Sequence, residues 1–432
     1  MKVAKPWLIL LFIGSIVLTH NLNKPFYGHH DWNGVYYGNI AKNYLNLGFL
    51  KTKLGQVTNF KPLVNESLNY YTHYPPLFPI LLALTYRLLG QTDLVARLLP
   101  VSLTLAAFTF MYLISLHLTR SKLASFASGL VMLAPMIRYF AKMPSQEALI
   151  IFLSCLSVYC YLTNRKLIFY LSVLANGLSG WAGYFLYPLL FFLNRRLAIK
   201  ACFLLLATFT LHLLHTYLLT GSLVGGGLVD ALLLRLGLFP ALNRVEPELP
   251  GQFSLIAYII KQARILTIYY TLALLSLSSF NLLFILRSII KKIKLTSLES
   301  ILLVFLFWGL SYPLIFSNVV FVHEYFNLFL WPFLALSLTA LINRFSQHQV
   351  FTAITLVILA FLLFWERNQF YLGLNQSAGF KPGYELGTYI QQTTLPGETS
   401  TVVKSKDFIE SQNLFIEFYG DRKIEYTVNH EK

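Results

Sequence analysis

Long apolar runs separated by short basic loops set the rhythm of this chain. Residues 197–219 and 264–286 each match the roughly 20 residues that carry a helix across a hydrocarbon layer, and shorter apolar runs recur from residue 7 to residue 364. Lysine and arginine collect on the cytoplasmic side of a membrane protein, so each basic cluster votes on orientation. Lys2 with Lys5, Arg120 with Lys122, Arg165 with Lys166, Arg195 with Arg196, residues 287–294 and Arg344 all lie inside only if an even number of crossings separates each pair. Runs at 7–19, 94–118, 122–139, 148–162, 167–178, 180–193, 197–219, 263–286, 298–316, 325–342 and 351–364, crossing alternately, satisfy that condition and predict about eleven spans. The stretch 76–89 is short, follows two prolines and would break the parity; it is expected to lie against the outer leaflet or to enter it part way. The pair 167–178 and 180–193 has the length of a half-depth hairpin.

The same parity puts the N-terminus in the cytoplasm, the loops 21–75 and 220–262 outside, and everything after Glu366 outside. The tail is polar and mixed: 384–392 has helical spacing, Pro396-Gly397 marks a turn, and 401–403 and 423–428 read as short strands. The expected architecture is an all-α polytopic domain over 1–366 and a small extracytoplasmic α/β segment over 367–432. No small-residue cleavage site follows the first apolar run, so it reads as an uncleaved span of a multi-pass plasma-membrane protein.

Composition removes the main competitors. With 56% hydrophobic and 12% charged residues, the apolar side chains exceed what one water-soluble core can bury, and the bilayer takes the surplus. The net charge of +16 is spread over small clusters between apolar runs, which serves topology and offers no continuous basic face to a nucleic acid. Cys155, Cys160 and Cys202 all sit inside apolar runs, where they act as small hydrophobes.

The first outside loop carries the most suggestive chemistry. His29-His30-Asp31-Trp32-Asn33 precedes a helical stretch in which Tyr36, Ile40, Tyr44 and Leu47 share a face suited to the membrane interface. An acid there stands where a lipid-borne substrate exposes its head group to water; equally, Asp31 is well placed to N-cap the helix.

A loop Asp followed by Tyr36, Ile40-Ala41-Lys42-Asn43-Tyr44-Leu45, Gly48, Tyr74-Pro75-Pro76-Leu77 and Leu88-Leu89-Gly90 resembles the protein O-mannosyltransferase and aminoarabinose-transferase superfamily of polytopic GT-C glycosyltransferases. The likeness extends to Ala96-Arg97-Leu98, to Glu147, and to His323-Glu324-Tyr325 before Trp331-Pro332, and so covers most of the membrane part. It implies transfer of a sugar from a polyprenyl-phosphate carrier to a protein, lipid or glycan acceptor on the outer face. The chain agrees by omission, with no glycine fingerprint for a nucleotide phosphate.

Under that resemblance Asp31 is the base that accepts the acceptor's hydroxyl proton, and inversion at the sugar carbon is the family's expectation. The leaving lipid phosphate is a stable anion, so cations and hydrogen-bond donors suffice to hold it. Candidates at outer span ends are Arg138, Lys142, His73, Tyr74 and His323, with Arg138 favoured because its fork fits two phosphate oxygens. Arg138 and Lys142 also fit a role as snorkelling anchors.

The resemblance assigns Glu147 the role of a second acid, though a carboxylate in a first helical turn also serves the helix dipole. It gives His323-Glu324-Tyr325 a part in reaching the carrier phosphate, where the same residues suit interfacial anchoring. Trp181 and Tyr184 have the faces to stack on a sugar ring, or to sit in an aromatic belt. The sequence departs from the family at Trp32, where many relatives have a second acid, and at Thr72-His73-Tyr74, where the aminoarabinose branch has a lysine. His29, His30 and Asp31 do not read as metal ligands, because adjacent histidines do not readily face one ion and only His73 and Glu66 stand out as spaced partners. No cofactor is identified.

Two other function classes fit the architecture: a transporter or flippase of lipid-linked sugars, and a non-catalytic assembly protein that binds through its tail. The first class is marked by internal repeats and mid-span charges, neither of which stands out here. Gly225-Gly226-Gly227 before the apolar stretch 228–239 suits a hinge for a lid or an interfacial helix.

Overall fold

The computed structural model describes residues 5–62, 66–223, 228–236, 253–345, 349–404 and 409–428. Six helical stretches among them have the length and apolarity to cross a membrane: Asp93–Thr119, Arg195–Thr220, Leu272–Ile290, Ser297–Ile315, Glu324–Phe345 and Thr352–Thr393. Shorter apolar helices of 10–17 residues, including Lys5–Thr19, Leu77–Leu89 and Gln146–Leu162, fill in between. Length alone thus accounts for six of the roughly eleven expected crossings. Outward-facing Phe203, Leu206, Val357 and Phe361 are exposed, an arrangement that suits lipid and not water.

Three apolar runs that look continuous in sequence are broken, each for a local reason. Between 122 and 139 the helix Lys122–Gly129 tightens into a 3-10 turn at Leu130–Leu133, and Ala134 turns extended (ψ 142°) before the short helix Pro135–Phe140. Proline disfavours the helical region for the residue before it. Between 263 and 286 the chain breaks at Thr271, which adopts a left-handed φ of 68° and turns its hydroxyl to the backbone N–H of Leu274, capping the helix Leu272–Ile290 after Leu255–Tyr270 has ended. Between 180 and 193 there is only a succession of short turns, Trp181–Phe185, Leu186–Leu189 and Leu190–Phe192.

The Glu324–Phe345 stretch forms the buried centre of the bundle. Trp331 stacks on Phe108 with ring centroids 4.3 Å apart. A Cβ on Gly309 would stand 2.8 Å from the Leu330 Cα, so the crossing of these two segments requires glycine.

The helix Trp32–Leu47 follows the loop after the first helix. Its Ile40 and Tyr44, expected at the lipid interface, are buried in a core cluster with Phe26, Phe78, Leu82, Phe415 and Phe418. Two of those residues belong to the C-terminal helix Asn413–Gly420. That helix and Lys381–Thr393 pack together beside a two-stranded parallel sheet, Thr399–Lys404 against Lys423–Val428. The C-terminal segment is tied to the first loop by Tyr419, whose hydroxyl accepts from the Phe26 N–H at 2.6 Å and donates to Asp93 Oδ2 at 2.6 Å. Lys61 pairs with Asp421 at 2.7 Å. Of the long loop 220–262, Leu228–Arg235 is a helix; the triple glycine 225–227 and residues 237–239 of the apolar stretch lie outside the described residues.

Candidate active site

The loop between the helices Lys5–Thr19 and Trp32–Leu47 folds back so that Asp31 faces its own preceding turn. Among the described residues its carboxylate makes no N-cap hydrogen bond. Oδ2 instead accepts from the backbone N–H of Gly28 at 2.7 Å and of Tyr27 at 3.1 Å, and Oδ1 accepts from Arg97 Nη2 at 3.0 Å. An ionised carboxylate offers about four acceptor positions, so one position on Oδ1 remains. Gly28 leaves room for the carboxylate, since a Cβ there would crowd Asp31 Oδ2 at 3.0 Å.

Arg97 sits in the second turn of the long apolar helix Asp93–Thr119 and is buried. Its guanidinium lies 4.4 Å above the Phe26 ring. Two lysines complete the pocket. Lys142, 3% exposed, donates to the carbonyl of His20 at 2.7 Å, and Lys24 donates to the carbonyls of Asn375 and Ser377 at 2.7 and 2.8 Å. Lys24, His29, Asp31, Arg97, Lys142 and Asn375 line one cavity. Three cations thus surround one carboxylate, an imbalance that favours a bound anion. Burial first, then the neighbouring Arg97, pushes the Lys142 ammonium down to about 7, with Asp31 opposing. Burial also lowers Lys24.

Arg138 does not line this cavity. Its guanidinium lies 3.7 Å from the Tyr371 ring and 4.4 Å from the Phe364 ring, and Nη2 donates to Asn368 Oδ1 at 3.0 Å. It fastens the short helix Pro135–Phe140 to the C-terminal part of the chain.

His323, Glu324 and Tyr325 meet the first loop from the opposite side. Glu324 Oε2 is 3.0 Å from His30 Nε2, Oε1 is hydrogen-bonded to His29 Nε2, and the Tyr269 hydroxyl donates to Oε1 at 2.9 Å. The Tyr325 ring is edge-on to His30 at 5.0 Å, and His323 is 5.7 Å from it.

The remaining candidates lie among packed aromatic rings beside the cavity. Glu147 lies in the first turn of the helix Gln146–Leu162 and is buried; Oε1 accepts from Gln146 at 3.2 Å. The Tyr74 and Tyr312 hydroxyls lie 3.2 Å apart and both accept from Arg235 Nη1. His73 packs its ring edge-on to Tyr74 at 4.4 Å and accepts the Trp181 indole N–H at its carbonyl, 2.9 Å away. With its indole engaged there, Trp181 packs against Tyr184, Phe209 and His212, and Tyr184 hydrogen-bonds to Gly177 and Thr208. Both residues are half-buried and in contact with neighbouring rings.

Asp31 and Lys142 therefore share one cavity; Glu324 and Tyr325 flank it; and Glu147, Tyr74, His73, Arg138, Trp181 and Tyr184 are not among the residues that line it. Sequence reasoning missed Lys24, Arg97 and Arg235 as site residues. Arg97 was detectable as a lone arginine about one turn into an apolar run, a costly placement that signals a partner. Lys24 and Arg235 carry no such signal.

No family model and no curated protein matches the sequence. Among solved structures, the Archaeoglobus fulgidus oligosaccharyltransferase tethered to an acceptor peptide aligns over 97% of this chain at 14% identity and a TM-score of 0.57, and this chain spans 63% of its length. ArnT from Cupriavidus metallidurans in the apo state aligns over 97% of this chain and 85% of its own, at 12% identity and the same TM-score of 0.57. Similarity at that level is one of backbone architecture, and by it the chain has the fold of the GT-C glycosyltransferases.

Proposed function

We propose that the protein transfers a sugar from a polyprenyl-phosphate-linked donor to an acceptor hydroxyl on the extracytoplasmic side of the membrane, with Asp31 as general base. The observation that carries this reading is the cavity in which a single carboxylate, with one acceptor position left, stands among Lys24, Arg97 and Lys142. The acceptor oxygen attacks the anomeric carbon as its proton passes to Asp31, and the bond from that carbon to the phosphate oxygen breaks. The departing polyprenyl phosphate carries the electron pair and is held by the two lysines, so no general acid is called for. Displacement from the opposite face inverts the anomeric carbon.

Arg97 fixes the Asp31 carboxylate and offsets the charge that would otherwise repel the phosphate. Glu147, buried in the first turn of its helix, is a further group to accept a hydrogen bond from a sugar or acceptor hydroxyl. The shared fold and the positions of the basic loops support a lipid-facing enzyme with its site outside. The test uses purified protein in lipid nanodiscs with radiolabelled polyprenyl-phosphate sugars and candidate acceptors. Asp31→Asn should lower transfer by about 100-fold or more while leaving donor binding in place. Equal transfer by Asp31→Asn would overturn the assignment of the base.

A further inference from the structure

We propose that His29, His30 and Glu324 bind one divalent transition-metal ion of the zinc class. Neighbouring side chains along an extended or helical backbone diverge, which is why the pair His29-His30 reads from sequence as unable to converge. The backbone removes that objection: His30 has a φ of 56°, a left-handed conformation that side-chain-bearing residues seldom adopt and that clusters at functional sites. The kink swings both imidazoles to one side, with ring centroids 4.1 Å apart. Both Nε2 atoms meet the Glu324 carboxylate, His30 at 3.0 Å from Oε2 and His29 on Oε1. One ligand atom from each of the three lies within 4.8 Å of the others.

The donor set is chemically selective. Two neutral imidazoles and a carboxylate suit zinc and its neighbours, whereas magnesium and calcium prefer oxygen ligands alone. The supports of a metal centre are also present: the Tyr269 hydroxyl donates to Glu324 Oε1 at 2.9 Å and the Tyr139 hydroxyl to the His29 carbonyl at 2.8 Å, fixing the orientation of one ligand and the backbone of another. The His29 side chain is 36% exposed and lines the cavity that contains Asp31. An ion held by three protein ligands there keeps a coordination position toward the cavity for water or an anionic oxygen. The ligands come from chain positions 294 and 295 residues apart, so the ion also clasps the first loop to the segment that leads into the central helix.

The inference stands apart from glycosyl transfer, because it concerns uptake of the metal alone. Protein purified without a polyhistidine tag, in nanodiscs and stripped by a chelator, is titrated with Zn²⁺, and with Co²⁺ followed by its visible absorption. One ion per chain is expected, undisturbed by excess Mg²⁺. Glu324→Gln and His30→Asn should each weaken uptake on the order of 100-fold; asparagine tolerates the left-handed backbone, which keeps the loop's shape in the second variant. His215→Ala, outside the cluster, should bind as the wild type does. Zn²⁺ uptake that is substoichiometric in the wild type, or unchanged in both ligand variants while they melt as the wild type does, overturns the proposal.

Discussion

Lys142 makes the cavity's affinity for a phosphate depend on pH in a way that can be worked out beforehand. Its ammonium is held down to about 7 by burial and by Arg97, Arg138 and Lys24, with only Asp31 pulling the other way. The empty cavity is then about nine-tenths protonated at Lys142 at pH 6, one-tenth at pH 8 and one-hundredth at pH 9. A bound phosphate diester restores the charge, so binding above pH 7 must take up a proton. If the bound form stays charged to pH 9, the dissociation constant rises about tenfold from pH 6 to 8 and about tenfold again to pH 9, roughly 1.4 kcal/mol per step. The diester has no ionisation of its own in this range. Calorimetry in two buffers of different ionisation enthalpy should show uptake approaching one proton per ligand at pH 8. Lys142→Met should flatten the slope.

The stability of the empty protein should move in the opposite sense. The unfolded lysine keeps its proton up to about 10.5, so above pH 7 the unfolded state binds more protons than the folded one and stability rises with pH. Binding that weakens while the protein becomes more stable separates this effect from alkaline unfolding. A dissociation constant that stays flat between pH 7 and 9, or a Lys142→Met variant with the wild-type slope, would refute the placement of Lys142 against the phosphate.

Three further perturbations probe the frame around the site. Gly28→Ala sets a methyl group 3.0 Å from Asp31 Oδ2 and should lower transfer at least tenfold for about 1 kcal/mol of stability; transfer at the wild-type rate would show that the carboxylate does not need its turn. Tyr419→Phe leaves the Phe26 N–H and Asp93 without their shared partner, and should cost about 1–3 kcal/mol in a thermal melt and loosen the first loop to limited proteolysis. Glu417 is raised by burial to about 6, so the folded state holds a proton that the unfolded carboxyl has released above about 4.5. Its penalty grows as pH rises from 4.5 to 6, and Glu417→Gln should stabilise the protein by up to about 2 kcal/mol at pH 7 and by little at pH 4.

The sequence made the membrane character and the polytopic helical class plain, because apolar run length is a direct readout of bilayer thickness. The breaks inside those runs were less legible. Pro135 was a visible signal that a 122–139 span would interrupt at Ala134, whereas Thr271 lies in an unbroken apolar run and its left-handed turn depends on capping a helix that only the packed bundle calls for. The C-terminal elements at 384–392 and 423–428 were readable from local patterning. Their docking through Phe415, Phe418 and Tyr419 was not, since it joins residues more than 300 positions apart in the chain.

The candidate site divides along the same line. Asp31 could be found by type and place, but its local role was ambiguous between cap and base; the structure resolves the geometry because the carboxylate turns back to Gly28 and across to Arg97 instead of forward into its helix. Arg138 had the better chemistry for a phosphate on paper, yet its cation is engaged by two aromatic faces and Asn368, while Lys142 four residues on reaches the cavity. The difference follows from the break at Ala134: the Pro135–Phe140 helix is only 6 residues long, and the chain leaves it to turn through 141–145 before the next helix opens at Gln146. Had 122–139 been one straight span, Arg138 and Lys142 would both sit at a lipid-facing end. The kink sets one against the Tyr371 and Phe364 rings and leaves the other in the turn beside Asp31, so the same proline that shortens the helix also sets which cation lines the cavity.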